Sequence, residues 1–368
     1  MKIRCEKKIF CDAVSIVSRA VSSRSSLPAL EGILIRTRNN QIELVGYDLD
    51  TGITTAISAQ IDENGEILLP AKVLLDISKR MPGEFISISV GEKSLTEIKS
   101  GEAEYTILGM SAEEFPEFPN IGDSTSFQIS QNILRSMIDQ TLFAVSQSDA
   151  KPVHTGSLFE LSEDNTISVV SVDGYRLALR KESVQIESPL RFIVPGRALS
   201  EVIRILQDND NLTQVSVSRK HIIFKIGEYQ LFSRLLEGDF LDYKAAIPKG
   251  STLKVKVNTD DFIESIERVG LLISDRVKSP LKVKVDDSGI IMTCSTSLGR
   301  AYDRMTAKID GESVEIGFNN RYLIDALRNA DCDEVQLEIS GPLSPMKVVP
   351  ANGDHFLFLV LPVRLKAD

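Results

Sequence analysis

The chain has 368 residues, of which 42% are hydrophobic and 26% charged, and its formal net charge at pH 7 is −10. Its length suits about two to four domains, its composition excludes extensive disorder, and its acidic balance argues against general electrostatic adhesion to nucleic acid. No apolar run reaches the roughly 18–20 residues of a membrane span, and the charged start MKIRCEKKIF is unlike a secretory signal, so we predict a cytoplasmic protein without a membrane partner.

Three stretches of the chain repeat one order of predicted elements. Each opens with a short alternating strand, at Lys2–Glu6, Ser126–Ser130 and Lys254–Asn258, and each strand leads into an amphipathic helix. The apolar faces predicted for these helices are Ile9, Ala13, Ile16, Val17 and Ala20 in the first, Ile133, Met137, Thr141 and Ala144 in the second, and Phe262, Ile266, Val269 and Ile273 in the third.

A second helix follows in each repeat after several predicted strands. These helices begin near Pro70, Pro195 and Phe318, which are 125 and 123 residues apart. Polar segments near residues 122 and 250 separate the repeats. We therefore predict an α+β protein with three tandem copies of one domain, each with two helices packed on antiparallel β-sheet, over residues 1–122, 123–250 and 251–368.

The second helix of each repeat carries charges in the order basic, acidic, basic. The trios are Lys72, Asp76 and Lys79, with Arg80 beside them, then Arg197, Glu201 and Arg204, then Arg321, Asp325 and Arg328. Their offsets of 0, 4 and 7 residues place each trio on one helix face. A solvated face with an internal ion pair explains any single trio. Three faces that line one surface would form a basic wall able to hold a phosphate backbone without reading bases.

The sequence contains no concentrated set of reactive residues. It has no H-E-x-x-H, G-x-S-x-G or G-x-G-x-x-G pattern, and its four cysteines form no C-x-x-C pair and suit small buried hydrophobes. We predict no catalytic residue, no metal and no cofactor. A metal-dependent hydrolase that uses Asp48, Asp50 and Asp173 is a weaker alternative, since these residues suit turns between strands of separate repeats.

The C-terminal region ends in an apolar strand, His355–Leu361, followed by Pro362. Because proline cannot continue ladder pairing, we expect Val363 and Leu365 on a short extended tail. The tail either frays or, together with a neighbouring loop, forms one wall of an apolar groove for a partner peptide.

Several segments together resemble the bacterial DNA polymerase III beta subunit family, the replicative sliding clamps, over residues 1–365. They are MKI at the start, Ser22–Leu30 (SSRSSLPAL), Val172–Leu179 (VDGYRLAL), Gly238–Pro248 (GDFLDYKAAIP), Ile316–Leu327 (IGFNNRYLIDAL) and Val360–Leu365 (VLPVRL). The resemblance implies the DNA clamp fold, with a head-to-tail homodimer closed into a six-domain ring around double-stranded DNA.

The resemblance also implies a non-enzymatic, nucleoid-associated processivity factor. It would tether the replicative DNA polymerase, the clamp loader and repair proteins through their short linear motifs. A repeat scaffold that binds only proteins stays an alternative. Arg24 and Lys151 match family positions in loops that face DNA. The candidates for sequence-independent DNA contact are then Arg24, Lys72, Lys79, Arg80, Lys151, Arg197, Arg204, Arg276, Lys278, Arg321 and Arg328.

Two further sites are implied by the resemblance. The partner-peptide pocket, between the second and third domains, would contain His154, Val172, Gly174, Tyr175, Arg176, Leu177, Leu241, Ala245, Ala246, Leu359, Leu361, Pro362, Val363 and Arg364. His154, Leu241 and Ala245 depart from the residues of other members, which leaves the peptide preference open, and Lys366–Asp368 extends past the usual end. The dimer interface would join Tyr105 and Ile107, on an edge strand, to Leu272 and Ile273, at the end of the first helix of domain 3.

Overall fold

The computed structural model describes residues 1–118, 122–274 and 279–365. Two predicted DNA contacts, Arg276 and Lys278, and the extension Lys366–Asp368 lie outside the described residues. Elements follow in chain order, repeat by repeat.

The first repeat contains nine strands and two α-helices among its described residues. They are β1 (Lys2–Glu6), α1 (Lys7–Val17), β2 (Gly32–Arg38), β3 (Gln41–Tyr47), β4 (Thr51–Ser58), β5 (Gln60–Glu63), β6 (Glu66–Pro70), α2 (Ala71–Arg80), β7 (Phe85–Val90), β8 (Leu95–Ser100) and β9 (Ala103–Leu108).

Among the described residues the third repeat follows the same order, and the second differs by one strand fewer between its two long helices and by a short additional helix. The second contains β10 (Thr125–Ser130), α3 (Gln131–Leu142), β11 (Gly156–Ser162), β12 (Thr166–Val172), β13 (Arg176–Ser183), β14 (Leu190–Pro195), α4 (Gly196–Ile205), β15 (Leu212–Val217), β16 (His221–Ile226), β17 (Tyr229–Arg234) and the short α5 (Tyr243–Ala246). The third contains β18 (Leu253–Asn258), α6 (Thr259–Gly270), β19 (Leu281–Asp286), β20 (Gly289–Thr296), β21 (Gly299–Met305), β22 (Lys308–Gly311), β23 (Val314–Phe318), α7 (Asn320–Arg328), β24 (Glu334–Ile339), β25 (Met346–Pro350) and β26 (Phe356–Val360).

The chain divides into two compact units, residues 1–132 with 200–235, and residues 133–199 with 236–368. The first unit holds a sheet in the order β5-β1-β7-β8-β9 and a second in the order β10-β15-β16-β17-β4-β3-β2-β6. The second unit holds sheets in the orders β14-β11-β12-β13-β26-β25-β24-β18-β22 and β21-β20-β19-β23. The central repeat contributes strands to both units, so compactness alone does not define the boundaries at residues 122 and 250, which stay a prediction.

Each large sheet joins strands of two successive repeats within its own unit. In the first unit β17 pairs with β4, so that Ser233 lies opposite Thr51. In the second unit β26 pairs with β13, so that Val360 lies opposite Arg176. All the ladders are antiparallel, as predicted, and the two junctions have the same design.

The first helices pack on the sheets through apolar stripes. In α6 the predicted residues Phe262, Ile266 and Val269 are fully buried. For the first helix the predicted Ala13, Val17 and Ala20 are buried, but Ile9 is exposed and Phe10 and Val14 enter the core in addition. At the start of α1 the large aromatic ring of Phe10 therefore takes the buried place predicted for Ile9, because it buries the greater apolar area.

Candidate functional site

The second helix of each repeat presents its basic side chains to solvent. Each of α2, α4 and α7 buries one apolar stripe, such as Leu74 and Ile77 on α2. The exposed cations on the remaining faces are Lys72, Lys79 and Arg80 on α2, Arg197 and Arg204 on α4, and Arg321 and Arg328 on α7. The two loop candidates, Arg24 and Lys151, are also exposed. Every described DNA-contact candidate is therefore accessible to a phosphate backbone, and the contact itself stays a prediction.

The acidic members of the three trios have different partners. Asp76 lies 4.0 Å from Arg80, the next turn of the same helix, rather than pairing with Lys72. Glu201 lies 3.9 Å from Arg204 and 3.7 Å from Arg19. The simple ion pair between the first two members of each trio is therefore not a repeated feature of these helices.

The third acid, Asp325, bonds the guanidinium of Arg176, which begins β13. Arg176 also donates from Nε to Asp173 at 2.9 Å. Its guanidinium lies over two aromatic rings, 4.8 Å from the centre of Tyr322 and 5.3 Å from that of Phe143. This cluster ties α7 to the hairpin turn between β12 and β13.

A pocket of about 620 Å³ lies beside this cluster in the second unit. Its walls come from the β12–β13 turn, the segment after α6, the start of α7 and the segment after β26. The lining residues are Gly174, Tyr175, Ile273, Ser274, Ser279, Pro280, Phe318, Asn319, Asn320, Arg321, Tyr322, Leu361, Pro362 and Val363. Five of these are predicted partner-pocket residues. The start of α7 was missed in that prediction, although its FNNRY sequence mixes apolar and polar groups as binding surfaces do.

Three other predicted pocket residues lie deeper. Val172, Leu177 and Leu359 are almost fully buried in one apolar cluster that also contains Phe240 and Tyr243. They lie beneath the surface and do not form an open wall, because Phe240 and Tyr243 pack in the same cluster.

The remaining predicted pocket residues lie outside the lining of this cavity. His154 packs edge-on against Phe240 with ring centres 5.5 Å apart, and burial, followed by the nearby charge of Lys151, lowers the pKa of His154. The exposed residues are Leu241, Ala245 and Ala246, at or near α5, and Arg364 in the tail. Their part in a partner site stays a prediction.

The C-terminal tail is held in place as far as the structure describes it. The Leu361 N–H donates to the Tyr175 carbonyl at 2.9 Å, and the Val363 N–H donates to the Gly317 carbonyl at 2.8 Å. A Cβ on Gly317 would lie only 2.7 Å from Leu365 Cδ2, so that glycine permits the close approach of the tail. Of the two sequence-based alternatives, fraying is therefore wrong for residues 361–365.

Two sheets end in exposed edge strands. β9, with Tyr105 and Ile107, is the edge of the five-stranded sheet, and Leu108 beside them is 66% exposed. β21 is the edge of the four-stranded sheet, and its Tyr302 is 65% exposed. Leu272 and Ile273 are half-buried and lie just after α6, which ends at Gly270, so Ile273 is not part of the helix face on which it was predicted.

Asp48, Asp50 and Asp173, the residues of the alternative prediction of a metal-dependent hydrolase, lie in turns between strands. Asp48 Oδ1 accepts the N–H groups of Asp50 and Thr51, and Asp173 Oδ1 accepts those of Tyr175 and Arg176. Within the described residues, no three His, Cys, Asp or Glu side chains are grouped as a metal site, and no helix is long and apolar enough to cross a membrane. Burial raises the pKa of the Cys5 thiol to about 12, which makes it unreactive.

Comparison with known proteins identifies the family. Models of the N-terminal, central and C-terminal domains of the DNA polymerase III beta subunit match residues 1–119, 128–242 and 244–364. The chain belongs to the DNA polymerase III beta subunit family. This membership confirms the predicted three-domain clamp fold, the sliding clamp function and the absence of an enzymatic role.

Individual clamps are similar along their whole length. The beta sliding clamp of Bacillus subtilis (strain 168) is 32% identical over 377 residues, covering 99% of this chain and 100% of that protein. The crystal structure of the DNA polymerase sliding clamp from Bacillus subtilis covers 100% of both chains at 31% identity with a TM-score of 0.96. A Pseudomonas aeruginosa sliding clamp bound to griselimycin covers 99% of this chain and 100% of its own at 28% identity, with a TM-score of 0.95.

Proposed function

We propose that two copies of this chain associate head to tail into a six-domain ring that encircles double-stranded DNA and keeps the replicative DNA polymerase on its template. The observation that carries this proposal is the exposed basic face repeated on α2, α4 and α7. Phosphate-directed cations bind all sequences similarly, which suits a protein that must slide.

The net charge of −10 is compatible with this function. A closed ring retains DNA by topology, so strong overall attraction is unnecessary and would slow sliding. The cations on the three helices are enough to keep the duplex centred, while acidic groups elsewhere limit adhesion of DNA to other surfaces.

The ring would close through the exposed edge strands. Unpaired N–H and C=O groups on an edge strand form a template for pairing with another chain. In this proposal β9 of one subunit meets β21 of the other, and Tyr105, Leu108 and Tyr302 become buried. Leu272 and Ile273, near the end of α6, would pack at the margin of that interface.

Partners would dock at the pocket beside the C-terminal tail. Leu361 and Val363 are exposed apolar side chains at its mouth, and exposed apolar patches of this kind mark binding sites. We infer that extended segments of the polymerase, the clamp loader and repair proteins place apolar anchors there, in the cytoplasm at the nucleoid. The griselimycin-bound relative supports a ligand site on a clamp of this fold.

Retention on DNA tests the ring directly. The purified protein, loaded by a clamp loader with ATP, should co-elute with nicked circular DNA in gel filtration and should leave that DNA after a restriction enzyme linearises it. A circular plasmid that lacks the restriction site is the matched control. Retention on linear DNA, or none on circular DNA, would contradict topological binding.

A further inference from the structure

Asp325 is the acid of the three trios that bonds the turn beside the pocket. Asp76 and Glu201 have arginine partners on their own helices, three or four residues away, and Glu201 also lies 3.7 Å from Arg19. Asp325 bonds Arg176, which lies 149 residues earlier in the sequence and begins β13. The Arg176 side chain is 12% exposed and that of Asp325 is 41% exposed, so the bond joins a nearly buried guanidinium to an acid on the solvated face of α7.

Arg176 fixes the turn before β13 from two directions. Its Nε donates to Asp173 Oδ2 at 2.9 Å, and the other oxygen of that carboxylate accepts the Tyr175 N–H at 2.9 Å. The guanidinium also lies over the ring of Tyr322, and Tyr322 stacks on Tyr175 with ring centres 5.7 Å apart and planes 21° apart. A planar guanidinium with two carboxylate partners and a stacked ring has one preferred orientation.

The same turn forms the mouth of the pocket. Gly174 and Tyr175 line the cavity together with Tyr322, and Tyr175 is 60% exposed. A Cβ on Gly174 would have no neighbour within 4 Å, so the tip of the turn is open to solvent. The Tyr175 carbonyl accepts the Leu361 N–H, and the Arg176 cluster holds Tyr175 through Asp173 and the stacked ring of Tyr322.

We propose that Asp325 is a positioning residue for the partner pocket, linked to it through Arg176, although it lies among the basic residues of the α7 face. The inference rests on the proposed function, because it assigns one residue of the DNA-facing trio to the second site. Removal of its charge then has opposite effects at the two sites. The β12–β13 turn at the mouth of the pocket is no longer held in one position, whereas the α7 face that carries Arg321 and Arg328 becomes more positive.

The test compares Asp325→Asn with Asp76→Asn in the full-length protein. Asp76 occupies the corresponding position on α2, and the change in charge is the same. The probes are a fluorescein-labelled peptide that carries one glutamine and two apolar anchors, and a labelled primed duplex at low salt. We expect Asp325→Asn to weaken peptide binding about five- to tenfold and to tighten duplex binding slightly, whereas Asp76→Asn should tighten duplex binding alone.

Hydrogen exchange of the ligand-free protein separates this inference from the proposed function. The Tyr175 and Arg176 amides should exchange faster in Asp325→Asn than in the parent or in Asp76→Asn. A parent protein that binds no peptide would overturn the proposed pocket, and faster exchange would still support the positioning role.

A second variant keeps the inference testable if Asp325→Asn folds poorly. Arg176→Lys preserves the positive charge, but lysine lacks the planar guanidinium that bonds Asp173 and Asp325 at the same time. Peptide binding should therefore fall while duplex affinity stays constant. The positioning role is overturned if turn exchange is unchanged in Asp325→Asn, or if its peptide affinity equals that of Asp76→Asn.

Discussion

Leu49 has the backbone conformation of Gly174 at the equivalent point of an equivalent hairpin turn. The φ angle is +79° at Leu49 and +91° at Gly174. In both turns an aspartate one residue earlier accepts two backbone N–H groups. The carbonyl of the residue after Leu49 or Gly174 accepts an N–H from the following repeat. The turn is thus copied between repeats, while the glycine that suits it is present in only one of these two copies.

Exchanging glycine and a larger residue at these two positions tests the cost of the left-handed conformation. It costs a leucine about 1–2 kcal/mol, and Leu49 is 41% exposed, so burial offsets little of that cost. In Leu49→Gly the relief of this strain is partly offset, because glycine has more conformational freedom to lose on folding. We therefore expect the free energy of unfolding to stay equal or to rise by up to about 1 kcal/mol. Gly174→Ala should lower it by about 1 kcal/mol. Urea denaturation followed by circular dichroism measures both, and a clear loss of stability in Leu49→Gly would contradict the strain.

The basic faces should act through phosphates alone. Changing Lys72, Arg197 and Arg321 together to Ala is expected to weaken duplex binding similarly for every sequence. The slope of log affinity against log salt concentration should fall in magnitude by about 2 to 3, because each phosphate contact contributes about 0.9. Fluorescence anisotropy at several salt concentrations gives the slope. The strand lysines Lys225, Lys254 and Lys308 provide a triple variant of equal charge that should retain the slope.

Dimer stability should depend on the exposed edge strand of the first repeat. Burying a large apolar side chain contributes roughly 1.5–3 kcal/mol, so Tyr105→Ala with Ile107→Ala should shift the dimer towards monomer. Sedimentation velocity over a dilution series measures the shift. The double variant Leu272→Ala with Ile273→Ala tests the side of the interface that the third repeat of the other subunit provides. Leu212, an exposed leucine on β15, offers a control that should leave association unchanged. A dimer that withstands both double changes at low concentration would exclude this placement.

Partner binding should depend on the exposed tail rather than on the buried leucines beneath it. Leu361→Ala with Val363→Ala is expected to weaken binding of an apolar clamp-motif peptide at least about tenfold, because both anchor contacts are lost. The fold should persist, since Leu361 and Val363 are 37% and 40% exposed and follow the last strand. Leu177→Ala is a less specific test, because Leu177 is core and its truncation costs about 2–5 kcal/mol of stability. Undiminished peptide affinity in the tail variant would rule out this pocket.

The ion pair between Glu338 on β24 and Lys347 on β25 should make stability dependent on pH. Burial, the largest single influence, raises the pKa of Glu338, but the hydrogen bond and charge of Lys347, together with Gln336 and Lys254, outweigh it and lower the pKa below its usual value. The stabilisation is therefore complete above the unfolded pKa of about 4.3 and is lost as pH falls through the lower folded value.

Removing one partner of this pair isolates its contribution. Glu338→Gln leaves Lys347 nearly buried without a charge partner and should cost about 3 kcal/mol near pH 7, with a smaller cost at pH 3. The more exposed pair of Lys282 with Glu315 gives the comparison, and Glu315→Gln should cost less than about 1 kcal/mol. Equal losses in the two variants at both pH values would show that burial of the first pair is unimportant.

Local patterns predicted most of the elements and the exposed chemistry. The apolar spacing of Phe262, Ile266 and Val269 set the buried face of α6, and the offsets of the charged trios placed their cations in solvent. In α1 the spacing predicted the burial of Ala13 and Val17, but not the choice between the neighbours Ile9 and Phe10, where packing against the sheet selected the larger ring.

Periodicity within short segments was enough to predict the threefold repeat, the antiparallel α+β domains and the basic helix faces. It could not predict which distant residues meet, because those contacts form only when the chain folds. The bond of Asp325 to Arg176 and the contact of Val363 with Gly317 join segments that no local pattern relates. The depth of Val172 and Leu177 was likewise decided by strand pairing between repeats, since alternation assigns a residue to a face of the sheet but not to core or groove.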